Sequence, residues 1–432
     1  MSLAQSTFLV ANEILRRFDG LPKSNFFKYY WGNIAGTECG AIYSDSSDII
    51  FLRAYEMYKP RNVGGMVPFI SKYDWKNNRF IWKTYYNAMR FAFHPDISRV
   101  VLFDYDYKVI RELDASTGAL IRTISSSNLG SFGFINLRYD FWHPNYVWVA
   151  DQLRHYVGRL NLDTGTIDFQ FGVPDTPGSD LTHLNNPRYI FPDWEYDPPR
   201  RAVVTDWQNH RVLVLDLTTS SPSVMNPMYI VPYPNVFTIM QDKTGPFNWA
   251  YGIGVEGGWE DGGYQPLTLI FSDFGSIGAE NLLAHIPMAT DVLEFNPFNP
   301  FIVLLGQWNS VFEVDWRRPP THLRRFSKWF ARNLSLTAGS SWQSVPIVGM
   351  VHDKFLIKVY SSQPATMFIE VPEPKFKGIQ ADINFTWKVF DGTALQADKV
   401  TPWSTLTPPD VFRIRVVMGS SSGNISVYGE GW

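Results

Sequence analysis

Eight histidines, the carboxylates and a single thiol are the groups in this 432-residue chain that suit metal binding, proton transfer or nucleophilic attack. Their spacing points to structure instead. His94 and His143 each precede a proline, in Phe91-Ala-Phe-His-Pro95 and Tyr139-Asp-Phe-Trp-His-Pro144, and His155 and His210 each stand four residues after an aspartate. A catalytic or metal site asks different roles of different positions, whereas side chains recurring at equivalent places in a repeat hold the repeat together. The aspartates Asp104, Asp151, Asp206 and Asp273 recur in the same way. One per repeat would suit an axial calcium, but calcium takes about six to eight oxygen ligands and no dense Asp/Asn loop is present, so turn capping is the better reading.

The other candidates give no catalytic constellation. Cys39, between Glu38 and Gly40, is the one cysteine, which excludes an internal disulfide and multi-cysteine metal sites and reads as a small buried thiol. The Gly-x-Ser-x-Gly spacing of Gly419-Ser-Ser-Ser-Gly423 falls in the turn of a terminal hairpin and forms no nucleophile elbow, and there is no His-Glu-x-x-His and no Cys/His pairing. The run from Gly252 to Tyr264 holds six glycines in thirteen residues but lacks Walker-A spacing and its lysine, and Glu256, Glu260 and Asp261 would repel a phosphate. It reads as a long inter-strand loop, or more sharply as a recognition loop presenting Trp259 and Tyr264. Trp194 and Tyr196 are further rim aromatics suited to binding. Arg317, Arg318, Arg324 and Arg325, interleaved with Trp316, Phe326, Trp329 and Phe330, form an interaction patch. Stacking on a single nucleic-acid strand is one use of such a patch, and a solvated rim or a docking patch for an acidic neighbour is the favoured reading. No catalytic residue, metal ligand or cofactor is assigned.

The elements that position these residues are short aliphatic and aromatic runs broken by Gly, Pro, Asn and Asp, an all-β signature. Three segments overlay without gaps: Val100–Asp104 through Lys108 to Asp114, Val147–Asp151 through His155 to Asn161, and Val203–Asp206 through His210 to Asp216. In each, an apolar strand ends in Asp, a basic or imidazole side chain follows four residues later, and a second strand ends in Leu and then Asp or Asn. The final Asp or Asn opens a turn, as in Asp114-Ala-Ser-Thr-Gly118 and Asp163-Thr-Gly165. Weaker copies run from Leu269 to Asp273 and from Phe301 to Asp315, and an aromatic strand often closing on proline precedes each. Counting these pairs gives seven, with second strands starting near 49, 100, 147, 203, 268, 302 and 355. Such a period is that of a β-propeller, whose blades bury their faces only by stacking around a ring.

The segments around Asp104, Asp151 and Asp206 resemble the NHL family of propeller repeats, Arg201-Ala-Val-Val-Thr-Asp-Trp-Gln-Asn-His-Arg-Val-Leu-Val-Leu-Asp216 most closely. The resemblance implies a propeller, and a fold that in different proteins binds proteins, binds RNA or carries hydrolase or lyase chemistry. The expectation is therefore one all-β propeller over 36–390, seven-bladed with six or eight as alternatives. A short amphipathic helix at Ala4 to Phe18 sits in an N-terminal arm of 1–35. A C-terminal segment of 391–432 carries a hairpin of Phe412–Met418 and Asn424–Tyr428 that closes the ring or forms an appendage.

Composition bounds the role. A formal net charge of −3 gives no overall field for phosphates or an anionic membrane, so general nucleic-acid binding is disfavoured. No run approaches the ~18 apolar residues needed to span a bilayer. The N-terminus lacks a signal peptide, which points to synthesis in the cytoplasm. Aromatic residues make up 16% and charged ones only 18%, a balance that large assembly interfaces use. The leading expectation is a non-enzymatic structural or adaptor subunit whose partners are other protein subunits, copies of itself included; a virion protein, phage tail or capsid-associated, fits it. The alternatives are an NHL-like metal-dependent hydrolase or lyase with its site at the central channel, and a glycan- or protein-binding propeller.

Overall fold

The computed structural model describes residues 27–29, 42–44, 49–58, 65–74, 79–94, 98–124, 133, 135–192, 196–219, 221–241, 249–255, 268–271, 282–286, 292–296, 299–307, 310–315, 326–375 and 379–431. Apart from a single 3-10 turn at Trp207–Asn209, their regular elements are all β-strands. The expected N-terminal helix at Ala4 to Phe18 lies outside the described residues.

The chain enters on β1 (Phe27–Tyr29) and then builds antiparallel meanders. The first contains β2 (Ile42–Ser44), β3 (Ile49–Tyr58), β4 (Gly65–Asp74) and β5 (Arg79–Thr84). The second contains β6 (Ala88–Phe93), β7 (Arg99–Asp104), β8 (Val109–Asp114) and β9 (Leu120–Ile124). The third runs through β10 (Ile135–Tyr139), β11 (Tyr146–Asp151), β12 (Tyr156–Asn161) and β13 (Ile167–Phe171). The fourth runs through β14 (Pro187–Pro192), β15 (Arg201–Asp206), β16 (Arg211–Asp216) and β17 (Ser223–Ile230). The fifth holds β18 (Pro234–Gln241), β19 (Trp249–Val255), β20 (Thr268–Phe271) and β21 (Leu282–Ile286). The sixth has three consecutive strands, β22 (Val292–Asn296), β23 (Asn299–Gln307) and β24 (Ser310–Asp315), and takes β1 as its outer strand, Phe27 opposite Val314 and Tyr29 opposite Phe312.

The leading strands approach one another in turn, from β6 through β10, β14 and β18 to β22, and β22 meets β2. That is a β-propeller, its last sheet completed by a strand from the start of the chain. The second strand of a blade is covered on both faces by its neighbours, so it reads as a continuous apolar run: Val100, Val101, Leu102 and Phe103 are all fully buried. Outer strands such as Leu120–Ile124 are mostly exposed.

The seventh expected pair, Ile347–Val351 and Phe355–Val359, does not form a meander. It belongs to a C-terminal unit of β25 (Phe326–Leu336), β26 (Ser341–Gln343), β27 (Ile347–Val348), β28 (Phe355–Ser361), β29 (Ala365–Lys375), β30 (Gln380–Leu395), β31 (Lys399–Thr405), β32 (Val411–Met418) and β33 (Gly423–Gly431). One sheet has the order β25-β33-β28-β31 and the other β26-β32-β29-β30, with β27 paired to β32. Two four-stranded sheets interleaved in this order make a jelly roll, the double Greek-key sandwich. Its core draws on both sheets: Phe355, Ile357, Val359, Ile425 and Val427 pack against Met367, Ile369, Phe412, Ile414 and Val416.

Three expectations change with this unit. The C-terminal hairpin is absent, because β32 pairs with β29 and β26 while β33 pairs with β25 and β28; Gly419 to Gly423 arches from one sheet to the other across their shared core. The boundary expected at 390 cuts through β30, and the last meander strand ends at Asp315. The fourth repeat also shifts by one strand, since β20 follows β18 and β19 and is the third strand of its sheet.

Candidate binding rim

Asp104 and Asp151 each accept from an amide of their own turn, as their spacing predicts, whereas Asp206 makes no such cap and binds side chains and the preceding link instead; Asp273 lies outside the described residues. Asp206 is fully buried and accepts from the Asn185 amide (2.7 Å), Asn209 Nδ2 (2.8 Å) and Arg211 Nε (2.7 Å). Arg211 then donates to the carbonyls of Ser179, Asp180 and His183, so it laces the long link between the third and fourth sheets. Asp104 accepts from Arg111 and the Asp106 amide, and Asp151 from the Gly133 and Arg154 amides.

The residue four places after each of these aspartates is left-handed: Lys108 has φ 53°, His155 60° and His210 53°. That turn sends each side chain to the start of the next blade. Lys108 Nζ donates to the Gly133 carbonyl (3.2 Å), while His155 Nδ1 accepts from the Asn186 amide (3.1 Å) and His210 Nδ1 from the Tyr233 amide (3.4 Å). Burial lowers the His155 pKa and brings that of His210 down from 6.5 to about 4, which keeps both imidazoles neutral acceptors at neutral pH. The recurring histidines of this pair are inter-blade latches. Among the described residues no three His, Cys, Asp or Glu side chains gather into a metal-binding group.

The opposite ends of the blades present a different surface. After β10 the chain turns at Asp140, whose buried carboxylate accepts from the amides of Trp142 (3.1 Å) and His143 (3.0 Å) and from Trp148 Nε1 (3.0 Å). Three donors on one carboxylate fix the loop and turn Phe141 and Trp142 outward, each 42% exposed, with rings 5.0 Å apart and edge to face. His143 spans to the equivalent loop of the fourth blade, its Nδ1 3.5 Å from Asp140 and its Nε2 3.5 Å from Asp197. That second loop carries Tyr196, whose ring lies 4.1 Å from the Arg200 guanidinium. Between the leading strands, Arg138 donates to the Tyr189 hydroxyl (2.8 Å) and stacks on Phe191, which fixes the two blades beneath these loops.

Of the residues expected at a binding site, Tyr196 is therefore at this rim. Trp194, Trp259, Tyr264, Arg317, Arg318, Arg324 and Arg325 lie outside the described residues. Phe141 and Trp142 were missed because Tyr139-Asp-Phe-Trp-His-Pro144 reads as one aromatic strand. The signal against that reading is Asp140, an Asx-turn former one residue after the strand ends at Tyr139. Chemically the rim offers exposed rings, a guanidinium and a carboxylate-flanked imidazole on a rigid base, an arrangement for holding a partner.

No family model matches the chain, and no curated protein does. Among solved structures the exported protein XepA of PBSX is similar over 24% of this chain and 36% of that one, at 16% identity and a TM-score of 0.21. The chain thus spans about a third of XepA's length. The Cps50 (Swd1) β-propeller domain of Myceliophteria thermophila matches over 67% of this chain and 99% of that one, at 8% identity and a TM-score of 0.41. The periplasmic gluconolactonase PpgL of Pseudomonas aeruginosa matches over 64% and 85%, at 12% identity and a TM-score of 0.39.

Proposed function

We propose that this protein is a structural or adaptor subunit of a larger assembly, its NHL-like propeller holding one neighbour at the rim of the third and fourth blades and its jelly roll turned toward another. The supporting observation is the way the two units are joined. β17 of the fourth blade pairs with β30 of the jelly roll, Met228 opposite Ala381 and Tyr229 opposite Gln380, so one sheet continues through both. A single core also runs across the junction, with Phe191, Tyr229, Ile253 and Leu269 packed among Val348, Ile379, Ala381 and Val411. A union of this kind fixes two surfaces at one distance and angle, which an adaptor requires. The low-charge, aromatic-rich composition supports the same reading, and a virion tail or capsid-associated layer is a setting that uses such subunits.

The test is the native mass of the purified chain by light scattering across concentration, with metal content read on the same sample. A concentration-dependent assembly without stoichiometric metal, which Trp142→Ala weakens at least tenfold, is the expected result. A monomer of about the 49.6 kDa chain mass holding one tight divalent ion would replace this reading with the channel enzyme.

A further inference from the structure

In the β25-β33-β28-β31 sheet, alternate side chains enter the jelly-roll core and the others build an outward face. The register sets Trp329 opposite Tyr428, Tyr428 opposite Lys358, and Lys358 opposite Pro402, one row across four strands. Trp329 is 45% exposed, and its ring lies 5.1 Å from that of Tyr428 with the planes 57° apart. Lys358 Nζ stands 5.7 Å from the Tyr428 ring and 3.4 Å from Glu430. The neighbouring row is neutral and hydrogen-bonding. Ser335 Oγ donates to Asn424 (2.8 Å), Asn424 Nδ2 to Asn333 (3.2 Å), and the Asn333 amide to Ser426 Oγ (2.9 Å).

This is more than a solvated sheet face. β25 shifts register twice, between Trp329 and Ala331 and between Ala331 and Leu334, and Asn333 sits at φ 50°. Bulges of this kind re-aim side chains and gather beside functional sites. Here they let Phe330 and Ala331 both enter the core while Trp329 stays outside.

We infer that this face binds a single neutral saccharide chain, a role separate from the rim proposed above. A pyranose has an apolar C–H face and a girdle of hydroxyls, so it needs an aromatic ring to stack on with donors and acceptors alongside. Trp329 and Tyr428 supply the rings, and Lys358, Glu430, Asn424 and Ser426 supply the polar partners. Charge on the row is partly offset: Lys358 pairs with Glu430 and Asp398 accepts from the Tyr360 hydroxyl, while Arg332 stands 6.0 Å from the Trp329 ring. With its central lysine paired to Glu430, the row offers little net charge to a phosphate backbone or an acidic peptide. The 57° between the rings suits a chain that twists from one sugar to the next, not a flat crystalline surface. Both rings stand on strands, so little order has to be imposed on binding.

The full-length chain is titrated with cellohexaose, maltohexaose, laminarihexaose, xylohexaose and chitohexaose, followed by tryptophan fluorescence and calorimetry, with heparin and oligo(dT) as anionic probes. Saturable binding of at least one neutral oligosaccharide is expected. Trp329→Ala and Tyr428→Ala should each weaken it at least tenfold at unchanged melting temperature, and Lys358→Ala, farther from the core, severalfold. Trp142→Ala should leave it intact even where it abolishes assembly, which separates this inference from the rim. The inference is overturned if no neutral oligosaccharide binds, if the three face variants bind as the parent does, or if only the anionic probes bind and salt removes them.

Discussion

His210 shows how one side chain serves the ring through its protonation state. It is half-buried, faces Tyr233 edge to face at 4.3 Å, and accepts a hydrogen bond from the Tyr233 amide, which only a neutral imidazole nitrogen can do. Its pKa falls from 6.5 to about 4 on folding, so between these values the unfolded chain binds the extra proton. The stabilisation is complete above about pH 6.5 and is lost as the pH falls toward 4, with an upper bound of about 3 kcal/mol. His210→Asn keeps a residue that tolerates the left-handed backbone and an oxygen that accepts. Urea melts across pH 4 to 7 should show this variant about 1 kcal/mol less stable at pH 7 and shallower in its acid dependence than the parent; an unchanged acid slope would remove His210 from the pH response. The sequence made this residue legible as a structural histidine because it recurs with His155 four places after an aspartate. Its partner was not legible, since Tyr233 is reached only through the position of the next blade.

At the scale of elements, the turns did what their residue types dictate. Asp114 accepts from the amides and hydroxyls of both Ser116 and Thr117, which lowers its pKa to about 2, and Gly118 closes the turn at φ 72°. The turn also docks on the preceding blade: Trp82 Nε1 donates to the Ala115 carbonyl (3.1 Å), and a Cβ at position 118 would lie 2.6 Å from the Trp82 ring. Gly339 has nearly the same backbone, φ 68°, with nothing within 4 Å of a built Cβ. Gly339→Ala should therefore cost about 1 kcal/mol of backbone strain alone, and Gly118→Ala about 2–4 kcal/mol because the indole must also move. Equal losses of melting temperature for the two variants would show that the Trp82 contact does not constrain the blade. Strand order was less legible than turn chemistry. Leu269-Ile-Phe-Ser-Asp273 copies the second-strand pattern in composition, but Pro234–Gln241 had already opened the sheet, which makes Thr268–Phe271 its third strand. Any strand buried on both faces reads as the same apolar run, so the pattern reports burial and not position.

For the whole molecule, the propeller was legible and the jelly roll was not, for one physical reason. Blades repeat, and repetition can be seen in a single chain; a jelly roll pairs strands far apart in sequence, such as Phe355–Ser361 with both Lys399–Thr405 and Gly423–Gly431, and leaves only alternating strands to read. The same long-range pairing makes the two units one thermodynamic body. The Ile230 amide donates to the Ile379 carbonyl (2.9 Å), Ala381 is fully buried opposite Met228, and Ile383, Phe385 and Trp387 of β30 pack against the cores of the fourth blade and its neighbours. Melting either unit exposes this shared apolar surface on the other, so the parent should unfold in one calorimetric transition. Ala381→Asp places a carboxylate in the seam with the β17 pairing beside it, at a cost of about 3 kcal/mol or more, while the cores of the two units on either side stay intact. The expected outcome is a second, separate transition and faster amide exchange along β17 and the start of β30, with the jelly-roll core still protected. A single transition shifted to lower temperature would instead mean that the two units fold only together, and the adaptor's rigidity would then rest on more than this seam.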